Sequence, residues 1–167
     1  WGRLEYEKGF QTLIGAVARL LGRRPNLRCA IVGRGTYSED LRGVARGLGV
    51  EDAVQFAGFV SDEELVRLLN EASCAVIPSL YEPFGIVALE AMAAGAPLVA
   101  ARTGGLAEIV GSSDAALLFE PGNATDLARQ IEQVLTAQDA SRSLLERADA
   151  LLHERYSWDA IAQTTLG

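Results

Sequence analysis

The sequence is short of histidine, cysteine and aromatic side chains, and each shortage removes a class of chemistry. One histidine (His153) and two cysteines (Cys29 and Cys74) stand far apart among 167 residues. None of them has metal-ligand spacing, so no metal site is expected. Each cysteine lies in an apolar run, RCAIVG or SCAVIP, which predicts a buried free thiol. His153 falls in a late charged helical stretch and reads as a surface residue. Aromatics make up 7% of the chain although 49% is hydrophobic. Ala, Leu, Val and Gly fill the difference, and such small side chains suit helices packed closely on a sheet. Cations are outnumbered too: 15 Lys and Arg stand against 22 Asp and Glu, a formal charge of −7. Proteins that grip nucleic acid by its phosphates present a basic face, so nucleic acid is not an expected partner. No apolar run reaches the roughly 18 residues of a membrane span, and no secretory leader is evident. A cytoplasmic protein without stable membrane insertion is expected. The chain starts at Trp1, inside what reads as a motif, so a fragment of a longer protein is expected as well.

What is present is an alternation of helical and strand patterns. From about Gly9 to Leu21, apolar residues at Phe10, Leu13, Ile14, Val17, Leu20 and Leu21 follow helical spacing, and Pro25 and Asn26 end the element. CAIVG follows as a short, wholly apolar run, the pattern of a strand buried on both faces. A polar helix from about Ser38 to Leu48 is closed by Gly49, and Val54 to Ala57 reads as a strand. Ser61 with Glu64 three residues on is a capping box, opening a helix to about Glu71. CAVIP is a third strand. PFGIVALEAMAAG is a helix opening near Gly85 and stopped by Gly95 and Pro97. PLVAA, GLAEIV and AALLF read as strand, short helix and strand. From Asn123 onward the pattern is helical, in two or three pieces. This order predicts an α/β fold of one domain, residues 1–167: a doubly wound, Rossmann-like parallel sheet covered on both faces. Ligands in such folds sit beyond the carboxyl ends of the strands. The loops to read are therefore Gly33–Tyr37, Gly58–Ser61, Pro78–Gly85 and Ala101–Leu106.

Several of these features could carry chemistry. Ser79–Gly85 leads from a strand into a helix, whose first N–H groups and dipole can hold an anion. An ordinary strand-to-helix turn fits the same residues. Glu82 lies in that loop and Glu90 eight residues on, within the apolar stretch IVALEAMAAG. A carboxylate there needs a partner or a ligand edge; a structural ion pair and a ribose diol, whose two hydroxyls a carboxylate can accept, both satisfy that need. GRLEYEKG supplies Arg3 and Lys8, which a turn between them could bring to one site. A departing diphosphate needs such charge, but a solvated surface pair has the same spacing. VGRGTYS carries Gly33 and Gly35 after a strand, with Ser38 where a dinucleotide fingerprint has its third glycine. Gly104 and Gly105, with Glu108, make another glycine-rich turn on the same side.

Taken in order, GRLEYEKG, AIVGRG, VQFAGFVSDEEL, PSLYEPFGIVALEAMAAGAPLVA and TGGLAEIV resemble the C-terminal lobe of the family-4 retaining glycosyltransferases of the GT-B fold. Glu82 and Glu90 match that family's E-x7-E motif, and LEYEKG is similar to bacterial glycogen synthases and related α-1,4-glucan synthases. The resemblance implies a nucleoside-diphosphate-sugar donor, ADP- or UDP-glucose, and a glycan acceptor, an α-1,4-glucan. It implies that Arg3 and Lys8 hold the diphosphate and Glu82 the transferred sugar. The backbone of Phe84, Gly85 and Ile86 would bind phosphate and sugar oxygens. Glu90 would hold the ribose, Val60 would pack on the base, and Gly33 would border it. No metal or other cofactor is implied. The N-terminal acceptor lobe is expected to be absent, the first strand clipped before Trp1, and the fragment nearly inactive. A sugar-nucleotide epimerase on the same fold would need acid–base residues with no evident place here. A nucleotide-sugar-binding module without activity is the other alternative.

Overall fold

The computed structural model describes residues 1–111 and 113–157. Among the described residues five strands and seven α-helices follow one another, alternating until α6 and α7 close the series. They are β1 (Cys29–Val32), β2 (Val54–Gly58), β3 (Ala75–Ile77), β4 (Leu98–Ala101) and β5 (Leu117–Phe119). The helices are α1 (Phe10–Leu21), α2 (Ser38–Gly47), α3 (Asp62–Glu71), α4 (Ile86–Ala93), α5 (Gly104–Val110), α6 (Ala124–Thr136) and α7 (Gln138–Arg155). A 3-10 turn, Tyr6–Lys8, precedes α1. The α/β reading holds, and each element lies within a few residues of its sequence signal. Beyond Asn123 two helical pieces are seen; a third would lie outside the described residues.

Local chemistry explains the boundaries. In α1 the residues at helical spacing, Phe10, Leu13, Ile14, Val17 and Leu20, are all buried. The Ser61 hydroxyl accepts the Glu64 N–H at 3.2 Å, capping α3, and three acids in its first turn complement the positive end of the helix dipole. Asn123 accepts from the N–H groups of Thr125 and Asp126 at the start of α6. β4 shows why the strands are apolar throughout. Val99 and Ala101 point into one core with α1 and α6. Leu98 and Ala100 point into another with α4, α5 and α7. Alternate side chains thus enter opposite layers, as a sheet covered on both faces demands.

All strand pairs are parallel, but the ladder falls into two parts: β1 pairs with β2, and β3–β4–β5 form a second sheet. Between β1 and β3 lies an apolar cleft of about 980 Å³, with Cys29, Ala30 and Val32 on one wall and Cys74, Ala75 and Val76 on the other. Trp1 also lines it, and residues 2–4 run on beside the segment after β1, with Gly2 N–H bonded to Val32 and Leu4 N–H to Arg34. The sequence predicts buried free thiols at both cysteines. Both are free and only half-buried, because each looks onto the cleft. Its walls still desolvate the thiolates, pushing the Cys29 pKa to about 11 and that of Cys74 to about 12. His153 is exposed, as expected, 3.5 Å from Asp149.

Candidate functional site

The strands β1, β3 and β4 end on one side of the molecule, and backbone hydrogen bonds knit their following loops together. Gly33 N–H donates to the Gly58 carbonyl at 2.7 Å, Leu80 N–H to Glu7 at 2.8 Å, and Gly105 N–H to Glu82 at 2.8 Å. The Thr103 hydroxyl reaches the Leu80 carbonyl at 3.3 Å. Loops so tied form a rigid floor at the switch in strand order, where ligands of open α/β sheets bind.

Several positions of this floor accept only glycine, Gly85 and Gly33 among them. Gly85 caps α4 with φ +69°, and a Cβ there would stand 2.9 Å from the Gly105 backbone. Gly33 has φ +134°, and a Cβ would overlap the Gly2 carbonyl. The glycine signal of VGRG is thus satisfied by the protein's own residues 1–4 passing close by.

Lys8 and Glu82 come together although 74 residues apart. The Lys8 Nζ lies 2.7 Å from Glu82 Oε2, and the Ser79 hydroxyl lies 3.5 Å from the same oxygen. Glu82 is 7% exposed, and the Lys8 side chain 20%. Burial of this kind costs each charge its hydration, and the pair persists because each ion supplies what water no longer does. The chain does turn between Arg3 and Lys8. Arg3 stays exposed, at 4.0 Å from Glu7. In this state both cations are therefore matched with carboxylates, not free.

Beside the pair, α4 begins at Gly85 with no side-chain cap. Ala88 N–H turns back to the Gly85 carbonyl at 2.9 Å, the N–H groups of Ile86 and Val87 precede the first intrahelical bond, and the flanking Phe84 (74% exposed) and Ile86 (60%) open onto solvent. Glu90, one helical face further on, is exposed and accepts the Trp1 indole N–H at 2.8 Å. It makes a neutral contact, not the ion pair that the sequence left open. With Asp62, Leu65, Val66, Leu69, Ala93 and Ala94 it lines a second cleft of about 310 Å³ between α3 and α4. Val60, half-buried, precedes α3. The larger cleft between the sheets touches none of Lys8, Glu82, Phe84, Gly85 or Ile86. The candidate residues thus gather on the loop floor and not in that cleft. Among the described residues no cluster of His, Cys, Asp or Glu could hold a metal, and no helix is long and apolar enough to cross a membrane.

Sequence reasoning did not single out Ser79 as a neighbour of Glu82, Trp1 as the partner of Glu90, or Thr36 as the partner of Glu5. Ser79 and Glu82 share one loop, whereas Trp1 meets Glu90 of α4 and Thr36 meets Glu5 across long stretches of chain, and only the spacing of Gly33 after a strand hinted that the first loop matters.

Known proteins resemble this chain in sequence and in fold. The family model described as Glycosyl transferases group 1 matches residues 1–151. An uncharacterized glycosyltransferase of Methanocaldococcus jannaschii is 41% identical over 165 residues, 99% of this chain and 42% of its own length. A glycogen synthase of Mycobacterium tuberculosis is 40% identical over 164 residues, 98% of this chain and 40% of its own. Among solved structures, HepE of Anabaena in complex with UDP matches with a TM-score of 0.88 and 30% identity, over 99% of this chain and 46% of that one. The chain spans about two-fifths of the length of those curated relatives.

Proposed function

This chain belongs to the group 1 glycosyl transferases, and on that premise we propose that it is the donor-binding domain of a retaining hexosyltransferase, the Lys8–Glu82 pair beside the open start of α4 being the observation that carries the reading. A nucleoside diphosphate sugar lies with its phosphates on the amides of Phe84, Gly85 and Ile86, where the helix end favours negative charge. Lys8 turns from Glu82 to the diphosphate, and Arg3 leaves Glu7 to join it. Glu82, relieved of its cation, accepts hydroxyls of the transferred sugar. Glu90 takes the ribose diol, Val60 packs on the base beside Gly33, and the smaller cleft between α3 and α4 lies next to that position.

In transfer, the bond from the sugar's anomeric carbon to the diphosphate oxygen breaks, and the acceptor oxygen bonds to the same carbon on the same face. The acceptor proton passes to the departing phosphate. Arg3, Lys8 and the helix end stabilise the charge developing on that leaving group, without a metal or other cofactor. The donor is ADP- or UDP-glucose and the acceptor an α-1,4-glucan held by a further lobe. In support, the mycobacterial relative is a glycogen synthase, and the Anabaena relative is solved with UDP-glucose as well as UDP. The cytoplasm suits a protein with two unpaired thiols.

Calorimetry with ADP, UDP and GDP tests this. One nucleotide should bind this chain weakly, with little sugar transfer, because closing a second lobe normally completes such a site. Failure of all three to bind would overturn the donor site, and brisk transfer by this chain alone would overturn its assignment as a donor-only domain.

A further inference from the structure

Between Arg3 and Lys8 lies Glu5, a carboxylate with no part in the mechanism above. Its Oε1 accepts the Thr36 N–H at 3.1 Å, and its Oε2 accepts the Thr36 hydroxyl at 2.6 Å. These two bonds, the hydroxyl's first and the amide's second, hold the Glu5 carboxyl below its ordinary pKa. Thr36 sits in the loop after β1, two residues ahead of α2. That is where many open α/β sheets cradle a phosphate. Here the protein's own carboxylate takes the place, which accounts for the incomplete fingerprint of VGRGTYS.

The backbone around Glu5 is equally constrained. Its carbonyl accepts the Lys8 N–H at 3.0 Å, and its own N–H donates to the Arg3 carbonyl at 3.0 Å. On one side, Leu4 is buried, donates to Arg34 and accepts from Tyr37. On the other, the Tyr6 ring meets Tyr37 edge-on at 5.5 Å. The residues bearing both cations are thus fastened to the loop after β1 through one carboxylate and its neighbours. A neutral side chain cannot do the same work. Thr36 offers an N–H and an O–H side by side, and only an ionised carboxylate accepts both without presenting a donor of its own.

We propose that Glu5 is a positioning residue: by clamping Thr36 it fixes the Tyr6–Lys8 turn and, through it, the approach of Arg3 and Lys8 to the donor diphosphate. The proposal rests on the donor-site reading above, and its test separates the two. Chemical-shift titrations with UDP and uridine, and with ADP and adenosine, are run on the unaltered chain, Glu5→Gln, Thr36→Val, the double variant and Lys8→Ala. Melting curves are recorded for each. Glu5→Gln and Thr36→Val should each weaken diphosphate binding about tenfold, the scale of losing a hydrogen bond to a charged group. The double variant should lose little more, because both changes break the same clamp. Nucleoside binding should stay unchanged, since it does not use the cations. Equal losses for nucleotide and nucleoside would mean a merely structural role and would overturn the proposal. So would unaltered nucleotide affinity in Glu5→Gln while Lys8→Ala is weakened. Unaltered affinity in Lys8→Ala, or no nucleotide binding by the unaltered chain, would instead overturn the donor-site reading.

Discussion

A lysine and a glutamate 2.7 Å apart, mostly out of water, make a contact whose loss is felt more than its presence. Removing one ion strands the other, at about 3 kcal/mol for a buried pair. Lys8→Ala should therefore lower the melting temperature, and in the full-length enzyme lower kcat by roughly 10²-fold, the scale of one lost transition-state charge contact. The double variant Lys8→Met, Glu82→Leu should melt near the unaltered chain, since apolar side chains of similar size replace buried ions at little cost, while nucleotide affinity stays lost. Recovery of both together would remove the pair from the site. The thiols give a pH prediction. Cys29 and Cys74 have folded pKa values of about 11 and 12 against an ordinary 9.0, so unfolding releases protons once the solution passes that ordinary value. Their contribution to stability is whole below about pH 9 and is lost as pH rises through 11 to 12. Denaturant melts of Cys74→Ala should show a flatter decline over that range than the unaltered chain. At this scale the sequence disclosed residue types but not partners. Glu82 and Lys8 were legible as candidates because a glycine-rich turn and a short basic motif stand out. That they neutralise each other was not, because a contact across 74 residues leaves no local pattern.

Helices and strands were more legible, because periodicity, caps and breakers act within a few residues. α1 announced itself by its buried stripe, α3 by Ser61 and Glu64, and α6 by Asn123. Boundaries slipped where no cap decides them. The strand read as Val54 to Ala57 continues to Gly58, whose carbonyl is held by Gly33 of the neighbouring loop. Asn123→Ala should cost about 1 kcal/mol, the usual loss for a helix cap, and show as a lower melting temperature. Gly85→Ala acts differently. The left-handed backbone costs a larger residue roughly 1–2 kcal/mol, and the new methyl must push against Gly105. The start of α4 should then shift against α5, so nucleotide affinity should fall along with stability. If Gly85→Ala bound nucleotide as well as the unaltered chain, the α4 amides would not be touching phosphate.

For the molecule as a whole, an α/β fold with helices on both faces was evident from the order of elements, whereas the division into two sheets was not. Strand patterns report that a strand is buried, not which neighbour it bonds. The cleft between β1 and β3 has a consequence for how copies of this chain meet. Each wall is the edge of a parallel ladder among the described residues, with the Val32 carbonyl alone taken by Gly2 N–H at the end of β1, and such edges invite another chain to pair. A formal charge of −7 opposes such pairing, through a repulsion that reaches roughly 30 Å at 0.01 M salt and only about 3 Å at 1 M. Sedimentation should accordingly find single chains in dilute buffer and β-linked assemblies in concentrated salt. Association of this chain would then be governed by its ionic atmosphere as well as by its exposed apolar side chains.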